Sequence, residues 1–459
     1  MAGTEEGVTP VDSNPTGLDS YFKLTERGTT VGTEVKAGVT TFLVMAYIIF
    51  VNPSILAEAG LDPAAVAAGT ALIAGVLSIA MGLYANYPLA IAAGLGINGA
   101  LAFGLVLGSG LSPEGAMGVI VLEGVLVTIL VLIGMREAIM NAVPMNLKRA
   151  IGVGIGLFIL FIGFVNGGLI RQPAGDGPVP VEFIFPNSSV AALTLIGLAI
   201  TVLLYVRKVP GALVISIVIT AVIGLIMGVQ EIPDNMVVTP SFDTLGAFDL
   251  GEVFSSFGII AALLTIFSFM LTDFFDTMGT ATAIVEQADL AEEDGTIPDV
   301  GKLLLVDSVG AAVGGAGGVS SNTSYIESAA GVAEGGKTGL TAVVVGLLFL
   351  ASVFVSPLAS IIPYSATAPV LILVGFLMCS LIKDIDFGDF EDGFPALLAI
   401  VLMPLTFSIT VGIGAGFVVH TLVKVFRGKS REIHPLMWVV SIAFLVYFAQ
   451  DLLGATIAA

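Results

Sequence analysis

Five carboxyl side chains, Glu123, Asp273, Asp276, Asp307 and Glu327, lie inside long apolar stretches with no Lys or Arg at comparable depth. An ionised carboxylate at the centre of a bilayer helix costs about 3 kcal/mol on insertion scales, so such a group is protonated, hydrogen-bonded or turned toward water, and it marks a candidate site. Asp276 follows Phe274-Phe275 and precedes Thr277-Met278-Gly279-Thr280, and Asp273 stands one turn earlier on a similar face. Glu327 closes the polar run Ser320-Ser321-Asn322-Thr323-Ser324-Tyr325-Ile326-Glu327, which follows Gly314-Gly315-Ala316-Gly317-Gly318. Asn98 holds the equivalent place in Tyr87-Pro88-Leu89-Ala90-Ile91-Ala92-Ala93-Gly94-Leu95-Gly96-Ile97-Asn98-Gly99. Two carboxyls and an amide at one crossing point suit a small ligand that offers N–H donors and carbonyl acceptors. Burial and neighbouring acids both favour a neutral carboxyl, which makes Asp276, Glu327, Asp307 and Asp273 candidates for carrying a proton. Glu123 is alone in its stretch and reads as a hydrogen-bonded structural acid.

The elements that position these groups follow from composition. Of 459 residues, 56% are hydrophobic and 11% charged, against about 25% charged in soluble domains. Mean hydropathy is +1.04 and the pI is about 4.3. These values exclude a soluble enzyme, a disordered chain and a nucleic-acid binder. One Cys (Cys379) and two distant His (His420, His434) offer neither a disulfide framework nor a metal motif, so no metal and no cofactor is expected. The fold class is an all-α polytopic membrane protein in contact with the lipid bilayer.

Fourteen apolar stretches of spanning character occur, near 37–56, 64–84, 88–108, 115–134, 150–168, 188–206 and 211–229, then near 255–285, 303–318, 320–334, 338–358, 364–382, 394–410 and 411–427. The polar first 35 residues, with Glu5, Glu6, Asp12, Asp19, Lys23, Glu26 and Arg27, lack an apolar leader core and read as a cytoplasmic tail. With the N-terminus inside, 15 of the 16 basic residues, Arg136, Lys148 and Arg149 among them, fall on the cytoplasmic side and only Arg171 outside. The stretch 435–453, with Trp438, Tyr447 and Asp451, reads as a further span or an interfacial helix. Val143-Pro144 opens span five and Ile362-Pro363 opens span twelve, 219 residues later. Seven spans per copy is an odd number, so the second copy is inverted, a signature of secondary transporters with a midplane site. Spans three and ten each start with residues that disfavour helix and then become helical. A helix beginning at membrane depth aims free N–H groups and its positive dipole end into a cavity. Most other acids lie in loops, where 229–252, 286–299 and 383–392 hold 16 of the 36. The net charge of −20 therefore bears mainly on solvation, and such an acidic surface suits high-salt surroundings.

The chain resembles the nucleobase–ascorbate transporter superfamily, in its AzgA-like branch of adenine/guanine/hypoxanthine permeases, over nearly all of residues 20–455. Thr40-Thr41-Phe42-Leu43-Val44-Met45-Ala46-Tyr47-Ile48-Ile49-Phe50-Val51-Asn52-Pro53 is similar to that branch's opening motif. Phe275-Asp276-Thr277-Met278-Gly279-Thr280 resembles its Phe-Asp-Thr-Thr-Gly-Thr, with Met278 in place of the second Thr. Thr323-Ser324-Tyr325-Ile326-Glu327-Ser328-Ala329-Ala330-Gly331 and Met403-Pro404-Leu405-Thr406-Phe407-Ser408-Ile409 also fit. The resemblance implies fourteen spans in two inverted repeats, with short strands before the half-helices of spans three and ten. It implies a core domain of 36–134 and 255–358 and a gate domain of 135–229 and 359–428. A tail (1–35), an extracellular loop (230–254) and a C-terminal apolar segment (429–459) complete the division. It further implies that Asp276 and Glu327 hold the base, with Asn98 nearby and with Ser324, Tyr325, Ile326, Tyr47 and Thr280 around it, and that relatives pair as homodimers through the gate.

The expected function is proton-coupled import of purine nucleobases across the cell membrane by movement of core against gate. Xanthine, uric acid or uracil is the alternative cargo on the same fold. An anion is disfavoured because two buried acids repel it. A channel would show a continuous polar stripe, and an enzyme a nucleophile–base or metal constellation; the sequence has neither.

Overall fold

The computed structural model describes residues 17–135, 142–171, 173, 181–184, 188–231, 239–292 and 297–457. The tail expected over 1–35 is thus described only from residue 17, and Arg136 lies outside the described residues. Helices dominate. The first group is α1 (Leu18–Phe22), α2 (Val31–Met45), α3 (Ile48–Leu56), α4 (Pro63–Ala80), α5 (Leu95–Gly99) and α6 (Pro113–Leu132). Next come α7 (Met145–Asn166), α8 (Ser189–Val206), α9 (Ala212–Ile226), α10 (Leu250–Gln287), α11 (Val300–Ala316) and α12 (Ser328–Ala333). The last are α13 (Gly339–Ser352), α14 (Tyr364–Cys379), α15 (Phe390–Thr406), α16 (Ile409–Phe426) and α17 (Pro435–Ile457).

Local chemistry sets many of the starts. The side chains of Thr30, Asp62, Ser112, Ser188, Asp249, Thr338, Asp389 and Ser408 each accept from a backbone N–H just inside the helix they precede. Pro63 and Pro113 take first-turn positions where no N–H is needed. Gly258 breaks the long α10 with φ 73 and ψ 168, a left-handed conformation that a side chain would oppose. Nine helices among the described residues are long and apolar enough to cross a membrane. Several other predicted stretches are shorter or broken. Span three divides into a strand, β1 (Ile91–Ala93), then α5 and a wide-turn stretch Ala100–Gly108. Span ten divides into a strand, β4 (Asn322–Ser324), and the short α12. Two further two-residue strands, β2 (Ile170–Arg171) and β3 (Glu182–Phe183), pair with each other.

Strands β1 and β4 pair antiparallel, with Ile91 opposite Ser324, Ala92 opposite Thr323 and Ala93 opposite Asn322. Gly94 N–H extends the ladder to Ser321 O (2.8 Å) and Tyr325 N–H to Ala90 O (2.9 Å). Ser78 Oγ, fully buried, accepts from Ile91 N–H (3.0 Å), and Ser328 Oγ accepts from Ala90 N–H (3.0 Å). These bonds satisfy backbone groups that a bilayer cannot. The strand pair is held in a cradle of α4, α10 and α11. Gly310 and Gly314 on α11 face β4; a Cβ at Gly314 would lie 3.1 Å from Asn322 N and closer still to Ser320 O. Gly314→Val should therefore overpack this seam, costing about 1–3 kcal/mol. A lowered melting temperature in detergent together with lost transport checks it; an unchanged melting temperature would contradict the close packing.

Away from the strands, α11 packs on α6, α13 on α2 and α4, α14 on α7 and α8, and α15 on α7 and α16. One buried carboxylate fastens α2 to α13. Glu34, with 0% exposure, accepts from the backbone N–H groups of Lys337 (2.9 Å), Thr338 (3.2 Å) and Thr341 (3.3 Å), and from Thr341 Oγ1 (2.6 Å). A second, Glu391, joins α15 to the end of α16 through Lys424, Arg427 (3.0 Å) and Lys429 (2.8 Å). Helix α17 lies along α16 and also touches α10: Phe444 is fully buried, its ring centroid 6.3 Å from that of Phe417, and Thr421 and Ser441 share a 2.7 Å hydrogen bond.

Candidate functional site

The two strands bring the loop after β4 against α10 and α3. Glu327 immediately precedes α12 rather than lying in its first turn. The chain enters that helix through short-range bonds, Ser328 N–H to Tyr325 O (3.1 Å) and Ala329 N–H to Ile326 O (3.0 Å), so the helix proper starts one residue later. Tyr47, 1% exposed at the junction of α2 and α3, donates its hydroxyl to Glu327 Oε1 at 2.6 Å. Glu327 is otherwise half-buried, and Asp276 on α10 is exposed. Buried Thr277 and Asp273 lie close to Asp276 in the chain, and buried Tyr325 and Ser328 close to Glu327, whose direct neighbour Ile326 is exposed. Asp276 senses the charge of both Glu327 and Asp307, which puts these carboxyls in one electrostatic neighbourhood.

Exposure continues along one face of α10. Asp276, Gly279, Ala283 and Glu286 are exposed in succession, leading from the acid to the C-terminal end of the helix. In the opposite direction, Phe269, Thr265 and Ala261 line a separate cavity of about 250 Å³, which also meets Gly104, Ser408 and Tyr447. Phe269 lies seven residues, or two turns, before Asp276 and so on nearly the same face. Lys148, near the start of α7, places its ammonium 5.6 Å from the centroid of Phe275, beside the acid. None of the five acids forms an ion pair with a described basic residue.

The other expected contact residues divide into two groups. Buried Tyr47 and exposed Ile326 (50%) stand beside Glu327, and Thr280, one turn beyond Asp276, is buried. Asn98, Ser324 and Tyr325 stand in a layer behind. Asn98 is 0% exposed and donates through Nδ2 to Asn52 Oδ1 (2.6 Å), while its own Oδ1 has no partner. Asn52 in turn donates to Thr70 Oγ1 (2.8 Å) and Val319 O (3.1 Å). Tyr325 donates its hydroxyl to Ala93 O (2.5 Å), clamping the two strands. Ser324 gives both its N–H and its hydroxyl to Asp307 Oδ1, each at 2.8 Å, and Thr277 Oγ1 serves Asp307 Oδ2 at 2.6 Å. Both oxygens of Asp307 thus have hydrogen-bond partners.

Behind the strand lies a group that sequence spacing hid. Glu123 on α6 neither stands apart nor is hydrogen-bonded, as its sequence setting suggested. It is fully buried, both its oxygens lack a partner, and it lies near Asp273, Asp307 and Ser321. The Ser321 hydroxyl, which donates to Asp273 Oδ1 at 3.2 Å, is also the one donor that faces Glu123 among the described residues, and Asp273 Oδ2 has no partner. The cause is the packing of α6 against both α10 and α11, a contact between distant segments. Asn52 and Thr277 were likewise not singled out as contacts, although both sit inside conspicuous motifs. Among the described residues no group of His, Cys, Asp and Glu has the arrangement of a metal site.

Broken helices paired through short strands, with acids that form no described ion pair beside them, define a multi-pass membrane transporter rather than an enzyme. The chain belongs to the nucleobase–ascorbate transporter superfamily, in its adenine/guanine/hypoxanthine permease branch: a family model described as "Permease family" matches residues 32–415. It is 40% identical over 436 residues to the adenine permease AdeP of Escherichia coli (strain K12), covering 94% of this chain and 95% of the relative. It is 39% identical over 445 residues to the guanine/hypoxanthine permease PbuG of Bacillus subtilis (strain 168), covering 94% and 99%. In fold it is similar to the transmembrane domain of the cyanobacterial bicarbonate transporter BicA, with TM-score 0.63, 15% identity and coverage of 84% and 97%.

Proposed function

We propose that the protein is a secondary active importer of purine nucleobases, namely adenine, guanine and hypoxanthine, working by proton symport in the cell membrane. The observation that carries this reading is the pair Asp276 and Glu327, two carboxyls in one electrostatic neighbourhood that form no ion pair with a described basic residue. Purines present N–H donors that match carboxylate acceptors, and charge-assisted bonds of this kind are worth about 1.5–3 kcal/mol each. The permease relatives named above support the choice of cargo. An anionic cargo would meet two repelling acids.

In this reading fourteen spans form two inverted repeats, with the N-terminus in the cytoplasm. Residues 36–134 and 255–358 form a core that carries the base. Residues 135–229 and 359–428 form a gate, through which two copies pair. The core slides past the gate like an elevator, so the site opens alternately to each side. The exposed stripe from Asp276 to Glu286 then leads to the cytoplasm. The wider coupling set is Asp276, Glu327, Asp307 and Asp273.

Uptake of labelled adenine, guanine and hypoxanthine by cells lacking their own purine permeases tests this, with Asp276→Ala and Glu327→Ala beside the wild type. Wild-type uptake of at least one purine, stimulated by an inward proton gradient and abolished by both substitutions, is the expected result. Uptake that survives both substitutions would remove the site assignment. Transport only of xanthine, uric acid or uracil would change the cargo.

A further inference from the structure

A symporter must hold cargo and proton at the same time. A proton on Asp276 or Glu327 would occupy the acceptor that the base N–H needs, so the proton has to sit on a carboxyl the base does not touch. Asp307 does not suit it: three donors, Thr277 Oγ1–H, Ser324 N–H and Ser324 Oγ–H, already point at its two oxygens at 2.6–2.8 Å. That is the environment of a carboxylate anion. Glu123 and Asp273 present the opposite case. Both have 0% exposure, and three of their four oxygens have no hydrogen-bond partner. A buried carboxylate with neither donor nor cation is strongly unfavourable, whereas a neutral carboxyl can donate its own proton to a neighbouring carboxyl oxygen.

We propose that the coupling proton is held by the Glu123–Asp273 carboxyl pair behind β4, while Asp307 stays an anion and Asp276 and Glu327 stay free for the base. The inference rests on the proton-symport reading above and names its proton site. The groups facing the pair are Asp307 from α11, Asp276 from the next turn of α10, and the Ser321 hydroxyl beside β4. No described Lys, Arg or His forms an ion pair with either member. Asp276 is exposed and Asp273 lies one turn earlier on the same helix. A proton taken up at Asp276 therefore moves one turn inward to Asp273, leaving Asp276 ionised for the base, and returns by the same step when the base has left. Glu123 is here a positioning and proton-sharing residue that never meets the cargo.

The test is infrared absorption of the purified protein at neutral pH, in water and heavy water, combined with uptake into vesicles. A neutral, buried carboxyl gives a C=O stretching band that shifts on deuteration. That band should be present in the wild type, lost or roughly halved in Glu123→Gln and in Asp273→Asn, and retained in Asp276→Asn. In vesicles, Glu123→Gln should keep base-for-base exchange within about twofold and lose on the order of tenfold of the accumulation driven by a pH gradient. A band unchanged in both Glu123→Gln and Asp273→Asn, or full pH-driven accumulation by Glu123→Gln, would overturn the proposal. If Glu123→Gln does not elute from gel filtration like the wild type, the band in Asp273→Asn decides. A wild type that takes up no purine, yet loses its band in Glu123→Gln, would overturn the purine reading and leave the proton site standing.

Discussion

Glu327→Gln should leave the protein folded and reduce purine uptake on the order of 100-fold or more. The substitution is nearly isosteric and keeps an oxygen for the Tyr47 hydroxyl, which now donates to Glu327 Oε1 at 2.6 Å. What changes is the second position on the group. An NH₂ replaces a carboxylate oxygen, so a base N–H meets a donor where it needs an acceptor. Losing a charge-assisted bond and leaving a donor unpaired costs about 3 kcal/mol or more, and every 1.4 kcal/mol is about tenfold in affinity. Asp276→Asn should behave alike. Binding of purines to purified protein by calorimetry, beside a thermal melt, separates lost affinity from lost fold. Uptake within twofold of the wild type would show that the carboxyl does not hold the base.

Glu34→Ala should have the largest effect on stability, for a reason unrelated to cargo. The substitution leaves three backbone N–H groups at the start of α13 and the Thr341 hydroxyl without their shared acceptor. These donors are buried or half-buried, and each unsatisfied buried donor costs about 1–3 kcal/mol. Partial rehydration limits the total to about 3–5 kcal/mol, the usual result of removing one side of a buried charged contact. Thr341→Val removes one donor and keeps the acceptor, so it should cost only about 1 kcal/mol. The readout is the half-life of the detergent-solubilised protein at raised temperature, since large membrane proteins seldom unfold reversibly. Equal half-lives for Glu34→Ala and Thr341→Val would contradict the capping role.

The membrane class and the two broken spans were legible in the sequence, and the proposed site acids Asp276 and Glu327 stand out there, because each breaks a strong local expectation. Carboxyls in apolar stretches and glycine runs where a helix should continue are visible one segment at a time. The layer behind the site was not legible, because it arises from contacts between remote segments. Nothing near Asn98 in sequence shows that its amide is taken by Asn52. Ser324 and Tyr325 stand in the same motif as Glu327, yet their polar atoms turn to Asp307 and Ala93. Glu123 looks solitary on α6 until α10 and α11 bring Asp273 and Asp307 to it. Glu34 shows the same limit: a charged residue in the first turn of a helix reads as a solvated face, and only the approach of α13 makes it an interior cap.

The pairing of Ile91–Ala93 with Asn322–Ser324 also constrains how the protein is made. Strand β1 leaves the ribosome about 230 residues before its partner, a wait of roughly 10–50 s at ordinary synthesis rates of about 5–20 residues per second. Throughout that interval the first half of the chain carries extended backbone at membrane depth with its sheet bonds unmade, a state lipid cannot accommodate. Early segments must therefore be sheltered during insertion, in the translocation machinery or at the wet edge of the bilayer, until residue 324 emerges. Assembly of the carrier is gated by the last strand rather than the first, and a chain truncated before β4 is a substrate for quality control rather than half a transporter.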